Sequence, residues 1–330
     1  MAATIENVAA RAGVAKSTVS KYMNGGTLRP VVRERVENAI HELGYVPNDM
    51  TRGLKNAKSF TVGVIIPTLS SSFSAGIISS MEDILQKYSY GMILCDCQGR
   101  RKDELDKLSF LEHKKVDGYV ILSSTLTKED ISGIKKPVVL FDKPVEGAEC
   151  DTILIDNYSA GYTGAEILLK NGHRDIAVIA GGREGVFTSS ERVRGCLAAM
   201  RDYGVPPEEA SVLYTDFTLG GAYQAVSELL SSGRRPSAFF ALNDDVTVGL
   251  VMALNQAGIR VPNEISVLGF DNLTIAKVFH PTLDIIYQPL EAFGKLIGET
   301  IVNRLQGLGG APRTKIVDFV VCPGNSIRTL

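Results

Sequence analysis

The chain has 330 residues, of which 45% are hydrophobic and 22% are charged, and its formal net charge is -2. This is an ordinary soluble composition, and the length exceeds what one hydrophobic core usually organises, so we expect two or three domains. The chain lacks any apolar stretch of about eighteen residues, and charged residues interrupt its first thirty positions, which argues against a membrane span and a secretory signal. We therefore expect a cytoplasmic protein with no membrane partner.

Cysteine, histidine and enzyme motifs give no sign of a metal site or a catalytic centre. The five cysteines are odd in number and lack a C-x-x-C pair, so we interpret them as reduced packing residues. The four histidines stand far apart, and the chain has no G-x-S-x-G, H-E-x-x-H or G-x-x-x-x-G-K-[ST] motif. The run "AGGREG" lacks the spacing of a dinucleotide-binding turn. We predict no enzyme activity, no catalytic residue, no metal ion and no cofactor.

The net charge conceals an uneven distribution along the chain. Up to Lys58 there are nine basic and five acidic residues, a local charge of +4, whereas the remainder carries -6. The positive charge that could bind a polyanion is therefore at the N-terminal end. An ordinary solvated helical surface would give the same count.

Residues 5–24, "IENVAARAGVAKSTVSKYMN", predict two short helices joined at Gly13. A bulky side chain at Ala9 would clash between them and a Cβ at Gly13 would strain the turn, a pattern typical of a helix-turn-helix. Four polar residues of the second helix then face outward: Lys16, Ser17, Ser20 and Lys21. Early residues of such a helix reach base edges, and lysines and hydroxyls bind phosphates. A generic three-helix packing unit is the alternative.

The run "RPVVRERVENAIHELGY" predicts a third helix, with Pro30 in its first turn and Gly44 at its end. Its apolar residues recur at helical spacing and form one stripe: Val32, Val36, Ala39, Ile40 and Leu43. A stripe of this kind identifies the buried face of an amphipathic helix.

From Thr61 onward, apolar stretches alternate with amphipathic segments. The apolar stretches predict parallel strands covered on both faces, and they read "TVGVIIP", "GMILC", "DGYVIL", "PVVLF", "IAVIA", "SAFFAL" and "ISVLGF". The predicted helices span 74–87, 102–113, 160–171, 191–203, 220–230, 246–257 and 290–305. The fold class is therefore α/β with doubly wound parallel sheets. The strands are too many for one small sheet, so we expect two lobes, with ligands at the carboxyl ends of the strands.

The run "TIENVAARAGVAKSTVSKYMNGG" resembles the N-terminal signature of the lactose-repressor/galactose-repressor family of bacterial transcription regulators. The resemblance continues through "LGYVPNDMTRGL", "HKKVDGYVIL", "AFFALNDDVTVGLVMALNQAGIRVPNEISVLGFDN" and "HPTLDIIYQP", and so extends along nearly the whole chain. It implies a DNA-binding head, a hinge helix and a two-lobed core like that of periplasmic sugar-binding proteins. It also implies a dimer on a pseudo-palindromic operator, and the lack of a heptad extension after "VVCPGNSIRTL" favours a homodimer over a tetramer.

Carried over to this chain, the resemblance implies five DNA contacts in the head: Lys16, Ser17 and Lys21 on the reading face, with Ser20 and Asn24 as phosphate or cap contacts. Ala15 stands where many members of the family have a helix-capping serine. A methyl group cannot accept a hydrogen bond, so this chain departs from the family at the start of its second helix.

In the hinge, the resemblance implies that Asn48 caps a short helix and that Leu54 inserts between base pairs in the minor groove. Such a wedge unstacks the bases and bends the duplex toward more protein contacts. Arg52 adds a positive charge that can neutralise a phosphate. Leu54 could instead pack between the lobes.

In the core, the resemblance brings six side chains to the cleft between the lobes: the polar residues Asp142, Arg192, Asn243 and Asp271, and the apolar walls Phe73 and Phe217. Carboxylates and an amide can bind vicinal hydroxyls, arginine supplies a planar fork, and aromatic rings cover the apolar face of a sugar. Arg192 is preferred to Arg194 because the family's contact arginine stands three residues before the glycine of "ERVRG". The same groups suit a nucleobase, and Asp271 could instead cap the turn "GFDN".

These features predict a sequence-specific transcription regulator, most often a repressor, that binds double-stranded operator DNA. A small effector, expected to be a sugar or sugar derivative with sugar phosphates included, would change that affinity by closing the lobes. The predicted domains are 1–47 for the head, 48–58 for the hinge and linker, and 59–330 for the core. Lobe 1 spans about 59–157 and 290–318, and lobe 2 about 158–289 and 319–330. The alternative is a cytoplasmic sugar-binding protein or sugar enzyme with a non-functional head.

Overall fold

The computed structural model describes residues 3–23, 26–45, 58–122, 125–182, 186–206, 211–271 and 273–330. The chain divides into two compact units, Met1–Ser59 and Phe60–Leu330. The first unit is helical, and the second contains every strand found in the described residues.

The first unit consists of three helices: α1 (Ile5–Ala12), α2 (Lys16–Met23) and α3 (Pro30–Leu43). A capping box between Thr4 and Asn7 begins α1, and Gly13 ends it in the left-handed region at φ 63°. The three helices enclose a small core whose buried members are Val8, Ala9, Ala12, Val19, Val36 and Ala39. The predicted order of two short helices and a third longer one is confirmed.

Helix α2 begins after Ala15, the residue at which this chain departs from the capping serine of many family members. The carbonyl oxygen of Ala15 accepts hydrogen bonds from the N–H groups of Thr18 and Val19 at 2.9 and 3.3 Å, so Ala15 is the residue that precedes the helix. Its methyl side chain cannot satisfy the N–H groups of the first turn. By contrast, α3 begins at Pro30, for which the missing N–H is no loss, and ends at Gly44 with φ 55°.

The second unit contains two sheets. The strands of the first sheet are β1 (Thr61–Ile66), β2 (Gly91–Asp96), β3 (Gly118–Ile121), β4 (Val138–Phe141), β5 (Asp151–Ile155) and β11 (Thr314–Val317). Their order is β11-β5-β4-β3-β1-β2, and all neighbours are parallel. Central strands β1, β3 and β4 are almost wholly buried, as expected of a parallel sheet covered on both faces.

The second sheet repeats this arrangement with one antiparallel edge. Its strands are β6 (Ile176–Gly181), β7 (Ser211–Thr215), β8 (Ala238–Ala241), β9 (Ser266–Phe270), β10 (Asp284–Tyr287) and β12 (Val320–Cys322). The order is β12-β10-β9-β8-β6-β7, and only the pairing of β10 with β12 is antiparallel among these described strands.

Helices cover both faces of each sheet. Those of the first lobe are α4 (Ser72–Lys87), α5 (Arg101–His113), α6 (Lys128–Ser132) and α12 (Leu290–Leu305). Those of the second are α7 (Asn157–Lys170), α8 (Phe187–Asp202), α9 (Leu219–Ser231), α10 (Asp244–Gln256) and α11 (Leu273–Val278). Helices α4 and α12 pack on one face of the first sheet and α5 on the other, while α7 with α8 and α9 with α10 cover the two faces of the second. The predicted α/β, doubly wound, two-lobed class is confirmed.

The chain passes between the lobes three times: from β5 to α7, from β10 to α12, and from β11 to β12. Predicted and observed helices differ mostly at their starts, because polar residues begin several of them. Helix α7, for example, starts at Asn157 rather than 160, since Asp156 accepts the Ser159 N–H at 2.8 Å. The predicted runs do not include β5 and β7, nor β11 and β12, which are edge strands of four and three residues.

Candidate functional site

Most of the predicted core residues lie where strands end. Asp142 directly follows β4 and Asp271 directly follows β9, while Asn243 and Phe217 each stand two residues beyond β8 and β7. Carboxyl ends of parallel strands share one edge of a sheet, and ligands of doubly wound folds bind at that edge. Lobe 1 thus contributes Asp142, and lobe 2 the other three.

Three of these residues have a left-handed backbone. The φ angle is 65° at Asp142, 66° at Phe217 and 55° at Asp271. Aspartate tolerates this region better than most residues, but a phenylalanine there is unusual, and such conformations concentrate at functional sites. The Phe217 ring lies against the end of β6, where a Cβ on Gly181 would be 2.1 Å from a ring carbon.

Arg192 connects the ends of separate elements of lobe 2. It is 5% exposed. Its Nε donates to Asn157 Oδ1 at 2.8 Å, and its Nη1 donates to the carbonyl oxygen of Leu242 at 2.6 Å. Its Cζ atom lies 3.9 Å from the centroid of the Phe270 ring, a close cation–π contact. The predicted arginine fork is therefore already committed in part to the protein.

A close approach of two helices positions Arg192 on α8. A Cβ on Gly161 of α7 would lie 2.0 Å from the Arg192 carbonyl oxygen, and a Cβ on Gly195 would lie 2.0 Å from the carbonyl oxygen of Tyr158. Real Cβ atoms do not approach so closely, so only glycine fits at either position. Gly195, the glycine of "ERVRG", therefore allows α8 to pack closely against α7.

Asp142 and Asp271 ionise at a higher pH than ordinary aspartates. Burial raises the pKa of Asp142 to about 6, although the charge of Arg192 opposes the shift. Burial likewise raises the pKa of Asp271 to about 7, against the opposing effects of Arg192 and of hydrogen bonds from Gln288. Carboxyl groups perturbed in this way within a cleft are characteristic of binding sites.

Asn243 and Phe73, both predicted to line the cleft, have structural contacts. Asn243 Oδ1 accepts the Val246 N–H at 2.8 Å and so caps α10, which leaves its amide nitrogen as the part of the side chain not used in the cap. The Phe73 ring, on α4, stacks on the Phe141 ring with centroids 5.8 Å apart. Phe141 immediately precedes Asp142, so the Phe73 ring lies beside the lobe 1 end of the site.

The structure adds four polar residues that the sequence analysis did not select: Ser72, Asn157, Asp244 and Gln288. The Ser72 hydroxyl, at the start of α4, donates across the cleft to Asp244 Oδ2, at the start of α10. The Gln288 backbone and side-chain N–H groups donate to Asp271 at 3.1 and 2.5 Å. Two of the four residues stand in runs that follow strands and could have been selected from the sequence: Asp244, which follows Asn243 in "LNDD", and Gln288, which ends "DIIYQ". The Asp271 side chain is therefore bound by the residue that follows β10, 17 positions along the chain. The alternative, that it caps the turn "GFDN", stays a prediction.

In the head, Lys16, Ser17 and Lys21 are exposed on α2, and Ser20 is half-buried. Lys16 Nζ lies 2.6 Å from Glu6 Oε1 in an ion pair on the surface. This pair lowers the pKa of Glu6 through hydrogen bonding and charge. The remaining predicted DNA contacts, Asn24, Asn48, Arg52 and Leu54, lie outside the described residues.

Outside the cleft, the titratable groups of the described residues form no second site. Within the described part of the chain, no group of three or more histidine, cysteine or carboxylate side chains could hold a metal ion. His173 is buried, with Nδ1 2.9 Å from Ser237 Oγ and Nε2 3.1 Å from the Arg328 carbonyl oxygen, which is a structural role. No helix of the described residues is long and apolar enough to cross a membrane.

The chain matches two models of protein families. Residues 4–48 match bacterial regulatory proteins of the lacI family, and residues 59–317 match the periplasmic binding proteins and sugar binding domain of the LacI family. Catabolite control protein A of Priestia megaterium is 33% identical over 298 residues, covering 89% of this chain and 90% of that protein. The transcriptional repressor PurR of Vibrio parahaemolyticus is 32% identical over 309 residues, covering 92% of each chain. These relatives are regulators rather than enzymes, consistent with the prediction of no enzyme activity.

Solved structures agree with the fold. The lac repressor dimer bound to operator and the anti-inducer ONPF superposes with a TM-score of 0.88 at 22% identity, covering 99% of this chain and 100% of that one. A LacI family regulator from Enterococcus faecium with bound ribose has a TM-score of 0.75 at 28% identity over 82% and 99% of the two chains. The complex of the transcriptional regulator CelR with cellobiose has a TM-score of 0.72 at 30% identity, covering 98% of this chain and 99% of that one. With both segments of the family matched along nearly its whole length, this chain belongs to the LacI family of DNA-binding bacterial transcription regulators.

Proposed function

We propose that this regulator is a repressor that binds a pseudo-palindromic operator as a homodimer and changes its operator affinity when a sugar or sugar derivative binds between the lobes. The observation that supports it most directly is the convergence of Asp142, Arg192 and Asp271 beside aromatic rings at facing strand ends. Hydrogen-bonding groups next to rings suit a polyol with an apolar face. The sugar complexes among the structural neighbours point the same way.

For the DNA, the proposal assigns Lys16, Ser17, Ser20 and Lys21 of α2 to base edges and phosphates. The exposure of Lys16, Ser17 and Lys21 supports it, and so does the positive charge of the N-terminal segment. Asn24, Asn48, Arg52 and Leu54 complete the proposed interface. A nucleobase effector is the alternative, and the relatives called the repressor PurR give that alternative weight.

The test measures binding of the full chain to genomic fragments by electrophoretic mobility shift, followed by titration of the selected fragment. Specific binding to a palindromic site, and its change on adding one sugar from a panel, are expected. Binding that does not distinguish the site from random duplex would favour the alternative of a sugar-binding protein or enzyme with a non-functional head. A response to a nucleobase alone would refute only the proposed class of effector.

A further inference from the structure

We infer that the effector of this regulator is an uncharged or cationic molecule rich in hydrogen-bond donors and carries no phosphate group. The inference rests on the effector site proposed above, and it narrows the sugar derivatives considered there. It follows from two properties of the residues around Arg192, namely their charge balance and their excess of hydrogen-bond acceptors.

The charge balance of the described residues around Arg192 is negative. Three carboxylates act on the buried Arg192 guanidinium: Asp271, Asp142 and Asp244. Arg192 is the positive charge that lowers the pKa of Asp142 and the one that acts most strongly on Asp271. Asp245 adds a further carboxyl group. Its pKa is raised, first by burial and second by the negative charge of the neighbouring Asp244. An anionic ligand would therefore enter a field that already repels it, in a region of low dielectric where such repulsion is strong.

Arg192 is also badly placed to act as a phosphate clamp. A bidentate clamp needs two parallel N–H donors directed at the anion. Here Nε is bonded to Asn157 and Nη1 to the Leu242 carbonyl oxygen, and the Phe270 ring covers a face of the guanidinium at 3.9 Å. Three N–H groups remain, and the carboxylates Asp271, Asp142 and Asp244 all act on this guanidinium.

Buried acceptors in this site lack donors. Asp142 Oδ1 and Gln288 Oε1 are both buried, and neither has a hydrogen-bond partner among the described residues. Gln288 is only 1% exposed, and its amide nitrogen is committed to Asp271 Oδ2 at 2.5 Å. An acceptor removed from water without a donor is destabilising, so the missing partners are donors. Hydroxyl, amide N–H and ammonium groups can supply them, whereas the oxygens of a phosphate dianion cannot.

The first experiment uses probes that share a sugar or nucleoside and differ in the charged group that it carries: ribose with ribose 5-phosphate, glucose with glucosamine and glucose 6-phosphate, and adenosine with its 5′-monophosphate. Isothermal titration of the full chain should show the unphosphorylated member binding at least about tenfold more tightly. Asp142→Asn should reduce that preference, whereas Asp175→Asn, at an exposed lobe 2 carboxyl paired with Arg234 at 3.4 Å, should not. A phosphorylated probe that binds more tightly than its parent would overturn the inference.

The second experiment needs no ligand. The pKa of Asp142, about 6, lies above the usual value of an unfolded aspartate, so the folded chain binds more protons and loses stability as pH rises from about 4 to 6. Asp142→Asn removes this loss while Arg192, Asp244 and Asp271 remain. The melting temperature of the variant minus that of wild type should therefore be roughly 2–5 °C higher at pH 8 than at pH 5.

Asp175→Asn should show no such gain between the two pH values. If Asp142→Asn is equally destabilising at both, the Asp142 carboxylate is not a buried acceptor that lacks donors, and the inference fails. If Asp142→Asn shows the expected pH dependence but no sugar changes operator binding, the result counts against the proposed function alone.

Discussion

The head and the core of this regulator use charged side chains in opposite ways. On the head, Lys16 and Glu6 form an ion pair with both side chains more than half exposed, at 59% and 71%. In the core, Arg192 is 5% exposed and is held by a backbone carbonyl, an amide oxygen and an aromatic ring. One charge is free to change partners, and the other is fixed.

Solvation explains the difference. An exposed pair gains little because water screens it, so the proposed exchange of Glu6 for a DNA phosphate would cost Lys16 little. A buried charge has lost its hydration and depends on every partner it has, so removing Arg192 would leave several carboxylates without compensation. A surface that must bind and release a polyanion suits the first arrangement, and a site of fixed geometry suits the second.

The largest expected effect tests this dependence. Arg192→Ala should lower the free energy of unfolding by about 3–5 kcal/mol, because it leaves buried carboxylates unpaired. Denaturant titration measures the loss. The matched control is Arg194→Ala, two residues along α8, whose 62% exposed side chain pairs with Glu191, and which should leave the denaturation midpoint nearly unchanged. Equal effects of the two variants would contradict the comparison.

A smaller effect is expected from the packing that places Arg192. Gly195→Ala introduces a Cβ 2.0 Å from the Tyr158 carbonyl oxygen, which should push α8 away from α7 at a cost of about 3 kcal/mol. Effector affinity should fall with it, because Arg192 moves. Gly91→Ala is the control, since a Cβ there would meet nothing within 4 Å. A Gly195→Ala variant with unchanged thermal stability would show that the helices adjust freely.

The hydrogen bond between the lobes provides the next test. Ser72→Ala removes the donor to Asp244 Oδ2, which should cost the closed form about 1 kcal/mol and weaken effector binding roughly fivefold. Ser70→Ala, whose hydroxyl contacts Thr68 of the same lobe at 2.7 Å, is the control. Small-angle scattering should show a larger radius of gyration for the Ser72 variant only. Unchanged affinity and radius would mean that the bond does not hold the lobes.

The smallest expected effect on stability concerns the head. Lys21→Ala should leave the unfolding midpoint almost unaltered, because the side chain is exposed, but should lower the slope of log affinity against log salt concentration by about 0.9 for one lost phosphate contact. Arg11→Ala serves as the control, since that arginine is paired with Glu42 at 2.6 Å on the head surface. Identical salt slopes for wild type and Lys21→Ala would remove Lys21 from the proposed interface.

Much of the fold could be predicted because its signals are local. The apolar stripe of α3, its Pro30 start and its Gly44 end all lie within one short run, as do the apolar runs of the central strands. Edge strands β11 and β12 are short and half-exposed, so their sequences carry too little periodicity to identify them. The same holds for the starts of helices, where one polar cap residue moves the boundary by a turn.

The sequence by itself determined the class of this protein: a helix-turn-helix head, a two-lobed α/β core, and the acidic, arginine and aromatic residues that follow its strands. Only the tertiary structure decided how those residues are used. Arg192 is bonded to Asn157 and Leu242, which lie 35 and 50 residues away, and Asp244 meets Ser72 across 172 residues. Such partners follow from the convergence of strand ends in two sheets, and burial at that convergence sets the pKa values, so neither can be inferred from local sequence.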